Sequence, residues 1–144
     1  MAATDEPTET ADDRAAARGA HGAPHVELTQ ITRALVGIYK DQLGRGPEHA
    51  HSHYAGADMI ISVLEGTLTP GEQKLVALGH IEQMQSLRQL FQATTRPAFT
   101  AAVEEITGRR VVSFMSGNDI ENDVSSEVFV LERPTQSPSR VHDP

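Results

Sequence analysis

Apolar positions change their period several times along this chain, and each change marks an element. Leu28, Ile31, Leu35 and Ile38 recur three or four apart, with Tyr39 and Leu43 widening the stripe, so a helix is predicted from about Val26 to Leu43. Gly44 suits a helix stop, and Gly46-Pro47 prevents resumption. Two extended runs follow. Glu48 to Tyr54 alternates small and polar residues, and Asp58 to Glu65 is the strongest strand signal in the chain. Met59, Ile61 and Val63 share one face of that strand, and Ile60, Ser62 and Leu64 share the other. Both faces are apolar, which predicts a central strand, or one face packed on helices and the other on a partner chain.

Thr69-Pro70-Gly71-Glu72 reads as a helix start: Thr69 at the N-cap, Pro70 in the first turn, Glu72 closing a capping box. Leu75 and Leu78 open a stripe that Ile81, Met84, Leu87, Leu90 and Phe91 continue, so these are expected to be buried, with Gly79 separating a short helix from a longer one. Pro97 predicts a kink or break near residues 93–97. Phe99, Ala102, Val103 and Ile106 form the next apolar face, and Thr107-Gly108 ends it. Arg110 to Met115 and Glu127 to Glu132 read as two more strands, joined through Ser116-Gly117-Asn118-Asp119 by a long acidic hairpin loop.

Gly44-Arg45 recurs as Gly108-Arg109 and Glu65 recurs as Glu132, at offsets of 64 and 67 residues. A repeated helix–strand–strand unit would fit, since one such unit cannot bury its own apolar face and two can cover each other. Independent convergence on good helix stops accounts for the same residues. Either way the expected fold is α+β, a four-stranded mostly antiparallel sheet with helices on one face.

Length and charge narrow the picture. The chain has 144 residues, enough for one domain. Residues 1–24 contain no Leu, Ile, Val or aromatic residue, and too little apolar surface to offset the entropy of ordering. A tail over 1–25, a domain over 26–133 and a second tail over 134–144 are therefore expected. The net charge of −8 opposes nonspecific nucleic-acid binding and attraction to anionic membranes. Arg14, Arg18 and Arg33 are too scattered to form a basic patch. There is no cysteine, which removes disulfides, thiolate metal sites and cysteine nucleophiles. The sequence contains neither a secretory-signal pattern nor an apolar run of about 20 residues. A cytoplasmic protein without direct membrane insertion is the expectation, and no cofactor is implied.

Among residues that carry chemistry, His49, His51 and His53 stand out. Residues two apart on a strand point the same way, and imidazole is the commonest metal ligand, with Asp58 shortly downstream. Three successive same-face positions span roughly 13 Å, however, so one ion cannot readily take all three. A solvent-facing edge strand is the plainer account. Asp119, Glu121 and Asp123 alternate like a calcium loop but have Val124 where that loop needs Gly, which favours a solvated hairpin loop. Gly44-Arg45-Gly46 follows a helix rather than a strand, so it reads as a helix stop and not a phosphate loop. Arg45 and Arg109 occupy equivalent places and are candidates for anion or partner contact, or for capping carbonyls and pairing with Glu65 and Glu132. Ser62, Ser113 and Ser116 have no adjacent His, and Glu104 and Glu105 do not face each other on a helix. No catalytic signature emerges.

Several motifs in order carry a family resemblance: Tyr39-Lys40, Gly44-Arg45-Gly46-Pro47, Val63-Leu64-Glu65-Gly66, Leu68-Thr69-Pro70 with Glu72, Ala102-Val103-Glu104-Glu105, Thr107-Gly108-Arg109, Phe114-Met115-Ser116 and Glu127-Val128-Phe129-Val130-Leu131. Over about residues 26–133 the chain resembles the MpsC family, formerly a domain of unknown function, named after a sodium-translocating, membrane-potential-generating system. The resemblance implies a link to membrane sodium or inorganic-carbon handling. It brings no catalytic residues, and the stretch holding the histidines departs from the Arg, Thr and small residues expected there. The resulting expectation is a non-enzymatic accessory or regulatory protein, homo-oligomeric, with a membrane transport protein as a further partner. The alternative is a small-ligand or metal-binding sensor.

Overall fold

The computed structural model describes residues 11–134, with side chains from residue 24 onward. Of the expected tails, residues 1–10 and 135–144 lie outside the described residues, while 11–25 belong to the first helix, which starts at Ala11 rather than near Val26. Helix α1 (Ala11–Leu43) carries the predicted stripe: Ile31, Leu35 and Tyr39 are buried, with Leu28, Ile38 and Leu43 packed beside them. It stops at Gly44, whose N–H bonds the Lys40 carbonyl at 2.8 Å.

Strands β1 (His49–Tyr54) and β2 (Met59–Glu65) form the expected hairpin. Then come α2 (Pro70–Ala77), α3 (Ile81–Thr107), β3 (Val111–Asp119) and β4 (Val124–Leu131). All strand pairs are antiparallel, in the order β1-β2-β4-β3. The two most apolar strands, β2 and β4, are thus central, because only central strands bury both backbone edges.

One sheet face meets the helices. Ile60 of β2, Phe129 and Leu131 of β4 and Phe114 of β3 pack on Ile31, Leu35 and Tyr39 of α1 and on Phe99 and Val103 of α3. The Phe114 ring lies 6.5 Å from Phe99 and 5.1 Å from Phe129, inside the range where aromatic pairs add to area burial. A smaller cluster of Leu68, Met84 and Ile120, with Val76 and Ile81, ties the α2–α3 corner to the β3–β4 turn.

The capping box at Thr69 forms as read: Thr69 Oγ1 accepts from Glu72 N at 3.2 Å, and Glu72 Oε1 accepts from Thr69 N at 3.0 Å. Three expectations are corrected. Helix α3 is continuous through Pro97, so the break does not form; the bond lost there is to the carbonyl of exposed Ala93, which water can serve. The stripe expected to be buried is largely outside: Leu75, Leu78, Leu87 and Leu90 are 44%, 66%, 41% and 68% exposed. Helix α3 buries Met84, Phe99 and Val103 as expected, and with them Arg88, which finds its partners in the core, and Thr95, which bonds the Gln92 carbonyl of its own helix. The long acidic loop is a short turn, because β3 and β4 pair as far as Asp119↔Val124. Ile120 is buried in that turn, and Asp123 accepts a left-handed φ of 52°, a conformation that Asp tolerates better than most residues.

Candidate functional site

The polar core is built around Arg88, which is 4% exposed. Its Nη2 donates to both Glu72 oxygens at 3.1 Å and to the Thr67 carbonyl at 3.2 Å, and its Nη1 donates to the Tyr39 hydroxyl. One guanidinium therefore joins α1, the β2–α2 loop, α2 and α3. Glu72 serves twice, as capping-box acceptor and as counter-ion, so the start of α2 is fixed to the core.

Glu127 of β4 lies on the same sheet face, 2% exposed, opposite Ser62 and Ser116 in the sheet. Burial pushes its carboxyl up to about 7, against the smaller opposing pull of Ser116. Glu127, Arg88, Gln92, Tyr39 and Asn118 border a cavity of about 10 Å³. Glu127 Oε2, Arg88 Nε and Gln92 Nε2 have no hydrogen-bond partner among the described residues. The cavity has room for about one water and no larger ligand. Burial also raises the Tyr39 phenol above its ordinary value.

A second lock holds the β2–α2 loop. Asp123 Oδ1 accepts from Thr67 N at 2.8 Å and Thr67 Oγ1 at 3.1 Å, and Oδ2 accepts from Leu68 N at 3.1 Å. This corrects the solvated-loop reading at Asp123, whose carboxylate is turned inward onto backbone donors. Asp119 accepts from the Asn122 side chain at 2.8 Å, which holds its carboxyl below the usual range. Glu121 stays exposed. The three acids do not converge.

His49, His51 and His53 do share a face, the one turned away from the helices, on edge strand β1. His51 Nδ1 lies 2.9 Å from His53 Nε2, with ring centroids 4.9 Å apart, whereas His49 stands opposite Glu65. Among the described residues no group of three His, Cys, Asp or Glu side chains is placed to hold a metal ion.

Arg45 and Arg109 sit at opposite ends of β2 and form no joint site. Arg45 donates to the Leu68 carbonyl at 3.0 Å and to Glu48 at 3.2 Å, not to Glu65. Arg109 donates to the carbonyls of Ala57 at 2.8 Å and Glu132 at 2.7 Å and pairs with Asp58 at 2.5 Å. Both arginines close loops.

The sheet face opposite the helices remains. Register places Met59, Ile61 and Val63 of β2 beside Val130, Val128, Ser126 and Val124 of β4, with Met115 of β3 beyond them. These side chains are half-buried among themselves, and Met115 is 51% exposed. No motif in the sequence announces the Arg88–Glu72–Tyr39 cluster. Its nearest signal was Glu72, read for the helix cap alone.

One layer of helices, with α1 and α3 side by side on one face of a four-stranded antiparallel sheet, a charged pair inside the core and an apolar face left open by the helices define a small α+β domain. The family model described as "Na+-translocating membrane potential-generating system (MpsC)" matches residues 27–133, and the chain belongs to that family. An uncharacterized protein, YrhF, of Bacillus subtilis (strain 168) is 27% identical over 113 residues, 74% of this chain and 86% of that protein. No solved structure matches. Among the described residues no helix is long and apolar enough to cross a membrane.

Proposed function

We propose that this chain is a non-enzymatic accessory or regulatory protein of a membrane system that moves sodium or inorganic carbon, and that it acts by binding proteins, a second copy of itself among them. The description of the family, a Na+-translocating membrane potential-generating system, supports the choice of system. The observation that carries the binding role is the open sheet face, where Met59, Ile61, Val63, Val124, Val128, Val130 and Met115 lie on the side away from the helices. A contiguous, partly exposed apolar surface of this kind marks interaction sites.

The test is a charged substitution on that face. Ile61→Glu/Val128→Glu is expected to lower the apparent mass in size-exclusion chromatography and to fail to restore sodium transport in a strain deleted for the gene, with the circular dichroism spectrum retained. Unchanged mass together with full restoration counts against the reading. A small-ligand sensor is the second reading, favoured by the groove beside His51 and His53.

A further inference from the structure

Strand β3 ends the sheet order, so one of its edges has no strand beside it among the described residues. Alternation along β4 shows what that edge offers. The Leu131 N–H bonds the Asp58 carbonyl beside β2 at 2.7 Å, and the Glu132 N–H bonds the Arg110 carbonyl beside β3 at 2.8 Å. Odd-numbered residues of β4 thus turn their backbone groups to β2 and even-numbered ones to β3. Phe114, Ser116 and Asn118 stand opposite Phe129, Glu127 and Ser125, which turn the other way, so the N–H and C=O groups of these three point outward. Arg96 donates to the Phe114 carbonyl, which leaves that oxygen a second lone pair. An open groove of about 320 Å³ runs along the edge, between Arg96 and Thr100 of α3 and Val111 to Phe114.

Edge strands are normally blunted by short length, charge or proline. The opposite edge, β1, is six residues long and carries three imidazoles. Strand β3 has nine residues, with no charged residue and no proline from Val111 to Asn118. A bulge at Val112 interrupts only its start.

We propose that β3 pairs antiparallel with β3 of a second copy, about a twofold axis at Ser116, joining two four-stranded sheets into one. That register alone lets all the outward residues pair: Phe114 with Asn118 of the second copy, Ser116 with Ser116, and Asn118 with Phe114. It also sets Met115, 51% exposed, across from Gly117 of the second copy, where no side chain obstructs it.

A twofold contact sets a surface against itself, so like charges within it would face each other. In a chain of net charge −8, an uncharged strand is what two copies can bring together. The charges lie at its ends with opposite signs. Antiparallel pairing carries Arg110 of each copy toward Asp119 and Glu121 of the other, and all of these are exposed. Both helix layers fall on one side of the joined sheet and both apolar faces on the other. The edge contact does not depend on what covers the apolar face.

The experiment is analytical ultracentrifugation of the whole protein over a range of concentrations. It is run on the parent and on the Ile61→Glu/Val128→Glu chain, in which loss of the face contact leaves the edge to be read by itself. That chain is expected to form a dimer that dissociates in the micromolar range. Gly117→Lys should weaken the dimer by about a hundredfold, through an edge lysine and like charges brought together. A Cβ at Gly117 meets nothing closer than Ser126 Oγ at 3.8 Å, so the fold should stand, with an unchanged circular dichroism spectrum. Met115→Glu should weaken the dimer similarly. Mixing the two variants should restore it, because the introduced lysine of one chain then faces the introduced glutamate of the other. A dimer that neither substitution affects, or a mixture that stays dissociated, overturns the proposal. So does a parent that is monomeric at every concentration, which would leave the edge to an extended segment of a different protein.

Discussion

Nη2 of Arg88 stands 3.1 Å from each carboxylate oxygen of Glu72, and the same carboxylate closes the capping box of α2, in whose first turn it sits. Helix start and core ion pair are thus a single unit. Arg88→Leu would leave the Glu72 carboxylate, the Tyr39 hydroxyl and the Thr67 carbonyl without their donor, and is expected to cost about 3 kcal/mol in urea unfolding. Glu72→Gln keeps the capping oxygen and is expected to cost roughly 1–2 kcal/mol. The double variant should be less destabilised than the sum of the two singles, since the partners touch. Additive losses would show that the two side chains act separately.

Asp123 closes the β3–β4 turn against the β2–α2 loop with bonds from Thr67 and Leu68. Asp123→Ala is expected to cost about 2–3 kcal/mol, because buried backbone donors lose a charged acceptor in a turn that also needs positive φ. Asp123→Asn, which retains one acceptor oxygen and the tolerance for that φ, should cost about half as much. Thermal melts of the two variants give the comparison, and equal losses would assign the effect to charge alone.

Glu127 titrates in the fold at about 7, above its ordinary 4.5. Between those values the folded state holds a proton that the unfolded chain has released. Stability is therefore full below pH 4.5 and declines as pH rises toward and through about 7. The loss is roughly 3 kcal/mol for this group. Glu127→Gln should flatten that part of the stability–pH curve measured by urea unfolding at fixed salt. A variant with the same slope as the parent would place the titration elsewhere.

Gly66 has φ +69°, and a Cβ there would lie 2.7 Å from Glu48 Cγ. Gly66→Ala is expected to cost roughly 2 kcal/mol, part conformational and part steric. Made in a Glu48→Gly background, which also removes the Cβ at 2.8 Å, it should cost visibly less, since only the conformational part remains. The two unfolding midpoints decide it.

Leu90 is 68% exposed and Phe99 1% exposed, although both belong to apolar stripes of one helix. Leu90→Ser should change stability by no more than about 0.5 kcal/mol, whereas Phe99→Ala should cost about 3–5 kcal/mol. A large loss at Leu90 would mean that something covers it in solution, and the melting temperature should then depend on protein concentration.

Periodicity placed most elements because local physics sets them. Thr69 and Glu72 lie within one turn of each other, and the alternation along Met59–Glu65 is a property of one strand. Periodicity failed on α3 for an equally physical reason. Leu87 and Leu90 have the right spacing for burial, but Arg88 lies inside because its partners Tyr39, Thr67 and Glu72 come from distant segments. A buried cation is tolerable only where such partners converge.

The amino-acid sequence by itself determined the helix stops, the capping box, the two central strands, the absence of thiol chemistry and, through ordered motifs, the family. Tertiary structure alone decided which helix face is inside, which sheet face is open, that Glu127 is buried, and that Arg88 meets Tyr39 and Glu72. The first group depends on neighbours a few residues apart, whose energies are local. The second depends on which distant groups satisfy one another once the chain is closed, and no stretch of sequence contains both halves of such a pair.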